Sequence, residues 1–158
     1  MRKYRGLRWL GVACVVIAGL SFIHPFGIVK GARPKAPLLA GAAIDSESLG
    51  IIERSCRDCH SDETHWPWYS YIAPVSWMVE KDVSQARGRF DLSRWQDYSA
   101  ERRAIILRQM SVLVPKRDMP LPRYLLLHRD ARLSESDRQH FAQWAAAASA
   151  ELEPRGGS

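Results

Sequence analysis

The chain has 158 residues, enough for one domain and too few for two. Its formal charge is +6, but residues 1–30 carry five basic side chains (Arg2, Lys3, Arg5, Arg8 and Lys30) and no acidic one, leaving 18 basic and 17 acidic residues beyond them. The remainder is thus nearly neutral, which excludes the basic footprint of a nucleic-acid-binding domain.

The basic start leads into an uncharged apolar run from Trp9 to Ile23. Fifteen helical residues span about 22 Å, and extension to Val29 is enough for the roughly 30 Å of a hydrocarbon core. Residues 1–29 are therefore read as a signal anchor or signal peptide, with retention favoured because no small-x-small cleavage site follows promptly. Either form leaves the basic end in the cytoplasm and sends the rest to the other side of the membrane. Cys14 is read as a small apolar residue of that run. Residues 30–43, rich in Pro, Gly and Ala, read as a linker.

From residue 44 to 148 the signals are helical, and the expectation is an all-α, small helical domain behind the N-terminal transmembrane or signal helix. Asp45 or Ser46 caps a helix through Leu49 and Ile52 towards Cys56. Pro74 suits the first turn of a second, with Val75, Met78, Val79 and Val83, ending near Gly88. Ser99 caps a third, with Ile105, Ile106, Met110 and Leu113 expected inward and Pro115 ending it. Ser134 followed by Asp137 resembles a capping box for a last helix carrying Phe141, Trp144 and Ala145. Residues 149–158 are expected to fray.

The pentapeptide "CRDCH", residues 56–60, carries the chemistry. A Cys56–Cys59 disulfide exchanger usually sits in a βαβ setting, for which this chain has no signal. Zinc would need Cys56, Cys59, His60 and His65 around one ion, yet the adjacent Cys59 and His60 point about 100° apart on a helix, and no second ligand pair stands at finger spacing. Cys-x-x-Cys-His is also the signature of c-type haem attachment. One helical turn lets two thiols meet the two vinyl groups of a porphyrin while His60 reaches the iron. The expected cofactor is one haem c, covalent through Cys56 and Cys59.

Opposite His60, the candidate iron ligands are Met78, Met110, Met119, His65, His128 and His140. Met119 is favoured because the prolines of "MPLPR" keep its backbone out of helix. Six tryptophans are present, four of them between residues 66 and 95. Core packing is the ordinary role of such residues; Trp66, Trp68 and Trp77 are taken as candidate walls for a flat ligand.

Residues 56–95, "CRDCHSDETHWPWYSYIAPVSWMVEKDVSQARGRFDLSRW", resemble the bacterial haem-binding domain family: small exported proteins with one Cys-x-x-Cys-His, a Pro-Trp-Tyr-Ser segment and an Ala-Pro-Val-Ser-Trp segment. The resemblance runs from about residue 44 to 146 and implies a small cytochrome c-like helical domain. It implies thioethers at Cys56 and Cys59, His60 as proximal ligand and Met119 as distal ligand. Leu121 stands between Pro120 and Pro122 where the family often has adjacent prolines. The expected function is single-electron transfer with redox proteins of the periplasm or membrane, without catalysis and without nucleic acid. The rival is a haem sensor or weak peroxidase whose sixth iron position is open.

Overall fold

The structure, a computed structural model, describes residues 2–27 and 37–153. Among these, six α-helices are joined by loops and three short 3-10 turns, with no strand, so the all-α expectation holds. The helices are α1 (Arg2–Leu20), α2 (Ser46–Ser55), α3 (Arg57–His60), α4 (Val75–Arg89), α5 (Ala100–Leu113) and α6 (Glu135–Leu152).

The starts of the helices follow from capping chemistry. The Asp45 carboxylate accepts the Ser48 N–H at 2.8 Å and opens α2. Ser99 accepts the Arg102 N–H at 3.3 Å and opens α5. At α6 the capping box is complete: the Asp137 N–H reaches Ser134 Oγ at 3.0 Å, and the Ser134 N–H reaches the Asp137 carboxylate at 2.8 Å. Pro74, with no N–H to leave unpaired, stands at the N-cap of α4.

The core lies where α5 and α6 pack along each other with α2 against them. Ile51 and Ile52 of α2, Ile106, Leu107 and Met110 of α5, and Phe141 and Ala145 of α6 share it with Leu92 and Trp95. Each large side chain removed from water contributes about 1.5–3 kcal/mol. Buried polar groups are tied across helix ends: Arg138 Nη1 donates to the Val114 carbonyl at 2.7 Å, and Ser149 Oγ to the Ala104 carbonyl at 2.9 Å.

Three sequence expectations change. Ile105 is exposed and Leu107 is buried in its stead, because the inward stripe of α5 runs through Ala104, Ile106, Leu107 and Met110. The linker expected over 30–43 has already joined the domain by its second half: Leu39 is buried, donates its N–H to the Leu92 carbonyl at 3.0 Å, and is flanked by Leu38, Ala42 and Ile44 against the core. Residues 30–36 lie outside the described residues. The fraying expected over 149–158 is also displaced, since α6 continues to Leu152 with Ser149 buried and Glu153 paired with Arg108. Residues 154–158 lie outside the described residues.

The N-terminal segment forms α1, of 19 residues, four of them basic. No helix among the described residues is long and apolar enough to cross a membrane. The segment just past α1 docks on the start of α4. Ser21 Oγ accepts the Ala73 N–H at 3.0 Å, the Ile23 carbonyl accepts Trp77 Nε1–H at 2.8 Å, and His24 Nδ1 lies 2.7 Å from the fully buried Glu80 carboxylate.

Candidate haem-binding site

Helix α2 stops at Ser55, and the backbone turns at Cys56 before the single turn of α3. The Cys56 carbonyl accepts the N–H of Cys59 at 3.2 Å and of His60 at 2.9 Å. That turn gathers both thiols and the imidazole, and all three line one cavity of about 400 Å³. The volume falls within the range of cofactor and ligand pockets. Its walls come from α4 through Val79 and Val83, from the end of α5 through Met110, and from the segment carrying Met119. The loop after α3 is pinned to α4, because Arg87 donates to Thr64 Oγ1 at 2.8 Å while Thr64 donates to the Asp58 carbonyl at 2.6 Å.

His60 is held in a defined protonation state. Its ring stacks on Phe90, with centroids 4.0 Å apart and planes within 8°. Its Nδ1 lies 3.3 Å from the Phe90 carbonyl oxygen, which only accepts, so Nδ1 carries the proton. The Nε2 lone pair is thereby left for a metal, the arrangement usual for ligating imidazoles. Burial holds its pKa down to about 4, with the hydrogen bond to Phe90 opposing, so the ring is neutral at physiological pH. Burial also pushes the Cys56 and Cys59 thiols up to about 12, and neither forms a disulfide. Two neutral thiols, a neutral imidazole and apolar walls fit a porphyrin held at its edge and at its iron. Among the described residues no three His, Cys, Asp or Glu side chains gather as a metal-binding group, so the zinc arrangement is not assembled.

Cys56, Cys59, His60 and Met119 therefore face the same space. Met78, Met110, His65 and His128 reach it too, whereas His140 sits on the surface with its Nε2 3.0 Å from Asp45. The tryptophans do not form its walls: Trp66, Trp68 and Trp77 are all missing from its lining. Trp68 is 75% exposed and packs edge-on against Tyr69, and Trp77 reaches back to Ile23. Their size suggested contact with a flat ligand, but the 3-10 turn over Trp68–Tyr71 faces Tyr69 inward and Trp68 outward. The lining residues missed from sequence include Phe90, Tyr69, Tyr124 and Asp58. Tyr124 donates to the Asp58 carboxylate at 2.8 Å, and burial followed by that negative charge raises its pKa above the ordinary phenol range. A tyrosine inside the quoted Pro-Trp-Tyr-Ser segment was the one available pointer to Tyr69; Phe90, 30 positions past His60, carried none.

Comparison with curated proteins and with solved structures finds no match. A family model, that of a haem-binding domain, matches residues 15–147, which include the thiol pair, His60, Met119, helices α2 to α5 and most of α6. Over that span, and with a cavity whose donors suit the cofactor, the chain belongs to the haem-binding domain family.

Proposed function

We propose that the protein is a monohaem c-type cytochrome that transfers single electrons. Cys56 and Cys59 would hold the haem through thioethers, and His60, through Nε2, and Met119 would bind its iron. The observation that carries this reading is the state of the Cys56–His60 turn. Both thiols and an imidazole with Nδ1 committed to the Phe90 carbonyl line one apolar cavity. Haem bound there supplies a one-electron iron couple, and the chain supplies ligation, burial and exclusion of water, which set its potential. A methionine and a histidine together on the iron would raise that potential. The segment with Met119 leaves the end of α5, so it approaches the cavity from a different element than His60 does.

The domain works on the periplasmic side of the bacterial inner membrane, held there through the N-terminal segment, and exchanges electrons with redox proteins. The uncharged run from Trp9 to Ile23 behind a basic start supports this placement, and export precedes c-type attachment. The protein acts as a carrier and not as an enzyme.

Absorption spectra of the exported, matured protein in both redox states test the reading. A sulfur-to-iron band towards the red in the oxidised state, with no ready binding of carbon monoxide on reduction, is expected. Absence of that band together with immediate carbon monoxide binding overturns Met119 as ligand and establishes an open sixth position.

A further inference from the structure

Beyond the Cys-x-x-Cys-His turn, the cavity wall carries a linked set of titratable side chains. His128, Tyr69 and Tyr124 all line the cavity. His128 Nδ1 lies 3.0 Å from the carbonyl oxygen of Tyr124, which only accepts, so Nδ1 holds the proton of the neutral ring. Its Nε2 is then an acceptor, and the Tyr69 hydroxyl 3.1 Å away donates to it. The Tyr124 ring stacks on the imidazole, with centroids 3.8 Å apart and planes within 9°. These contacts fix the orientation and tautomer of a partly exposed base at the edge of an apolar space.

We propose that His128 takes up one proton when one electron enters the haem cavity and releases it when the electron leaves. The proposal rests on the reading of the site as redox-active. An added electron makes the cavity more negative, and in surroundings of low dielectric a nearby positive charge compensates it far better than in water. His128 is built to become that charge without losing a hydrogen bond. Its Nδ1–H keeps the Tyr124 carbonyl, and the new Nε2–H donates to the Tyr69 oxygen, since a phenol hydroxyl serves as donor or acceptor. Only the direction of one hydrogen bond reverses.

The step balances. The electron comes from a one-electron donor protein and the proton from water, the only new bond is Nε2–H, and reoxidation returns both. The groups facing His128 are Tyr69 from the 3-10 turn over Trp68–Tyr71 and Tyr124 from its own turn. Asp58 of α3 is joined through the Tyr124 hydroxyl. The same turn carries Arg123, bound to Asp82 of α4, and Arg132 donates to its Leu125 carbonyl at 3.3 Å. Asp130 also acts on Tyr124 through its charge, and of this set only His128 has a ring nitrogen that can accept a proton while keeping both of its hydrogen bonds.

Potentiometric titration of the full-length, haem-loaded protein at a series of pH values between 5 and 8 is the test. A reversible one-electron couple at any single pH checks the redox reading; its absence sinks that reading and the proposal with it. Given the couple, the midpoint should fall as pH rises, approaching about 59 mV for each tenfold drop in proton concentration. The slope should be lost in His128→Gln and kept in His65→Gln, which alters a second histidine on the cavity lining. A slope that survives His128→Gln, or that vanishes in His65→Gln, overturns the assignment. If the His128→Gln protein fails to hold haem, proton uptake on reduction of the unaltered protein decides: close to one proton per electron near the steepest part of the curve supports the proposal, and none refutes it.

Discussion

His60 combines three constraints on one side chain: a stacked phenyl ring, a backbone carbonyl on Nδ1, and burial that keeps the ring neutral. His60→Ala should abolish stable haem incorporation, so that the matured variant shows no reduced haem spectrum; a normal spectrum would remove His60 as the iron ligand. Met119→Ala is expected to keep the haem, still held at two thioethers, while its midpoint potential falls by on the order of 0.1 V. An unchanged potential would shift the ligand to Met78 or Met110, which line the same cavity. At this scale the sequence was readable wherever the chemistry is local. Cys56, Cys59 and His60 lie within one turn, so spacing alone brings them together. Phe90 reaches His60 through the path of α4, which no short spacing encodes. The tryptophans misled because a large indole signals burial or contact without saying which side of the backbone it occupies.

Helices in this chain begin on side chains that accept orphan N–H groups, and those starts are legible in the sequence. Ser134→Ala should destabilise the fold by about 1 kcal/mol, read as a lower urea midpoint, because it removes one half of the α6 capping box. Asp137 supplies the other half. Its hydrogen bond from the Ser134 N–H, with Arg54 assisting, lowers its pKa below the ordinary range. The contribution is therefore present above about pH 3.9, the ordinary aspartate value, and is lost as pH falls through the lowered folded value. Urea midpoints measured down the acid limb should drop less in Asp137→Asn than in the unaltered protein; equal slopes would show that the cap carries no pH dependence. Less legible were the faces of helices and the 3-10 turns. Ile105 and Ile106 are equally apolar, and only the packing of α6 decides that Ile106 is the inward one. The turns over Leu92–Asp97 and Tyr124–Leu126 have no periodic pattern, yet they carry Trp95 into the core and Tyr124 to the cavity.

The whole molecule depends on the α5–α6 pair and on how the chain before α2 closes over it. Phe141 is fully buried at the centre of that pairing and also lines the cavity. Phe141→Ala should cost about 3–5 kcal/mol in denaturant unfolding, as large buried aromatics do, and loosen haem retention as well; a loss under 1 kcal/mol would show that the core does not rest on this contact. The domain began earlier than composition implied because Leu39 inserts between elements far away in sequence, and a Pro-, Gly- and Ala-rich segment gives no sign of that. At the other end, Ser21, Ile23 and His24, just past α1, bond to Ala73, Trp77 and Glu80, so the end of the segment proposed as a membrane tether touches the haem domain. As a membrane tether, the N-terminal segment should keep the full-length protein with the membrane fraction through an alkaline wash, and removal of residues 1–20 should release it. Release of the full-length protein by the wash would contradict the tether while leaving the haem site intact.

Covalent attachment of haem through Cys56 and Cys59 is the centre of this account, and intact mass under denaturing conditions measures it most directly. The exported, matured protein should exceed the mass of its polypeptide by one haem, with both thiols closed to alkylation. A bare polypeptide mass, with Cys56 and Cys59 both alkylated, would contradict it.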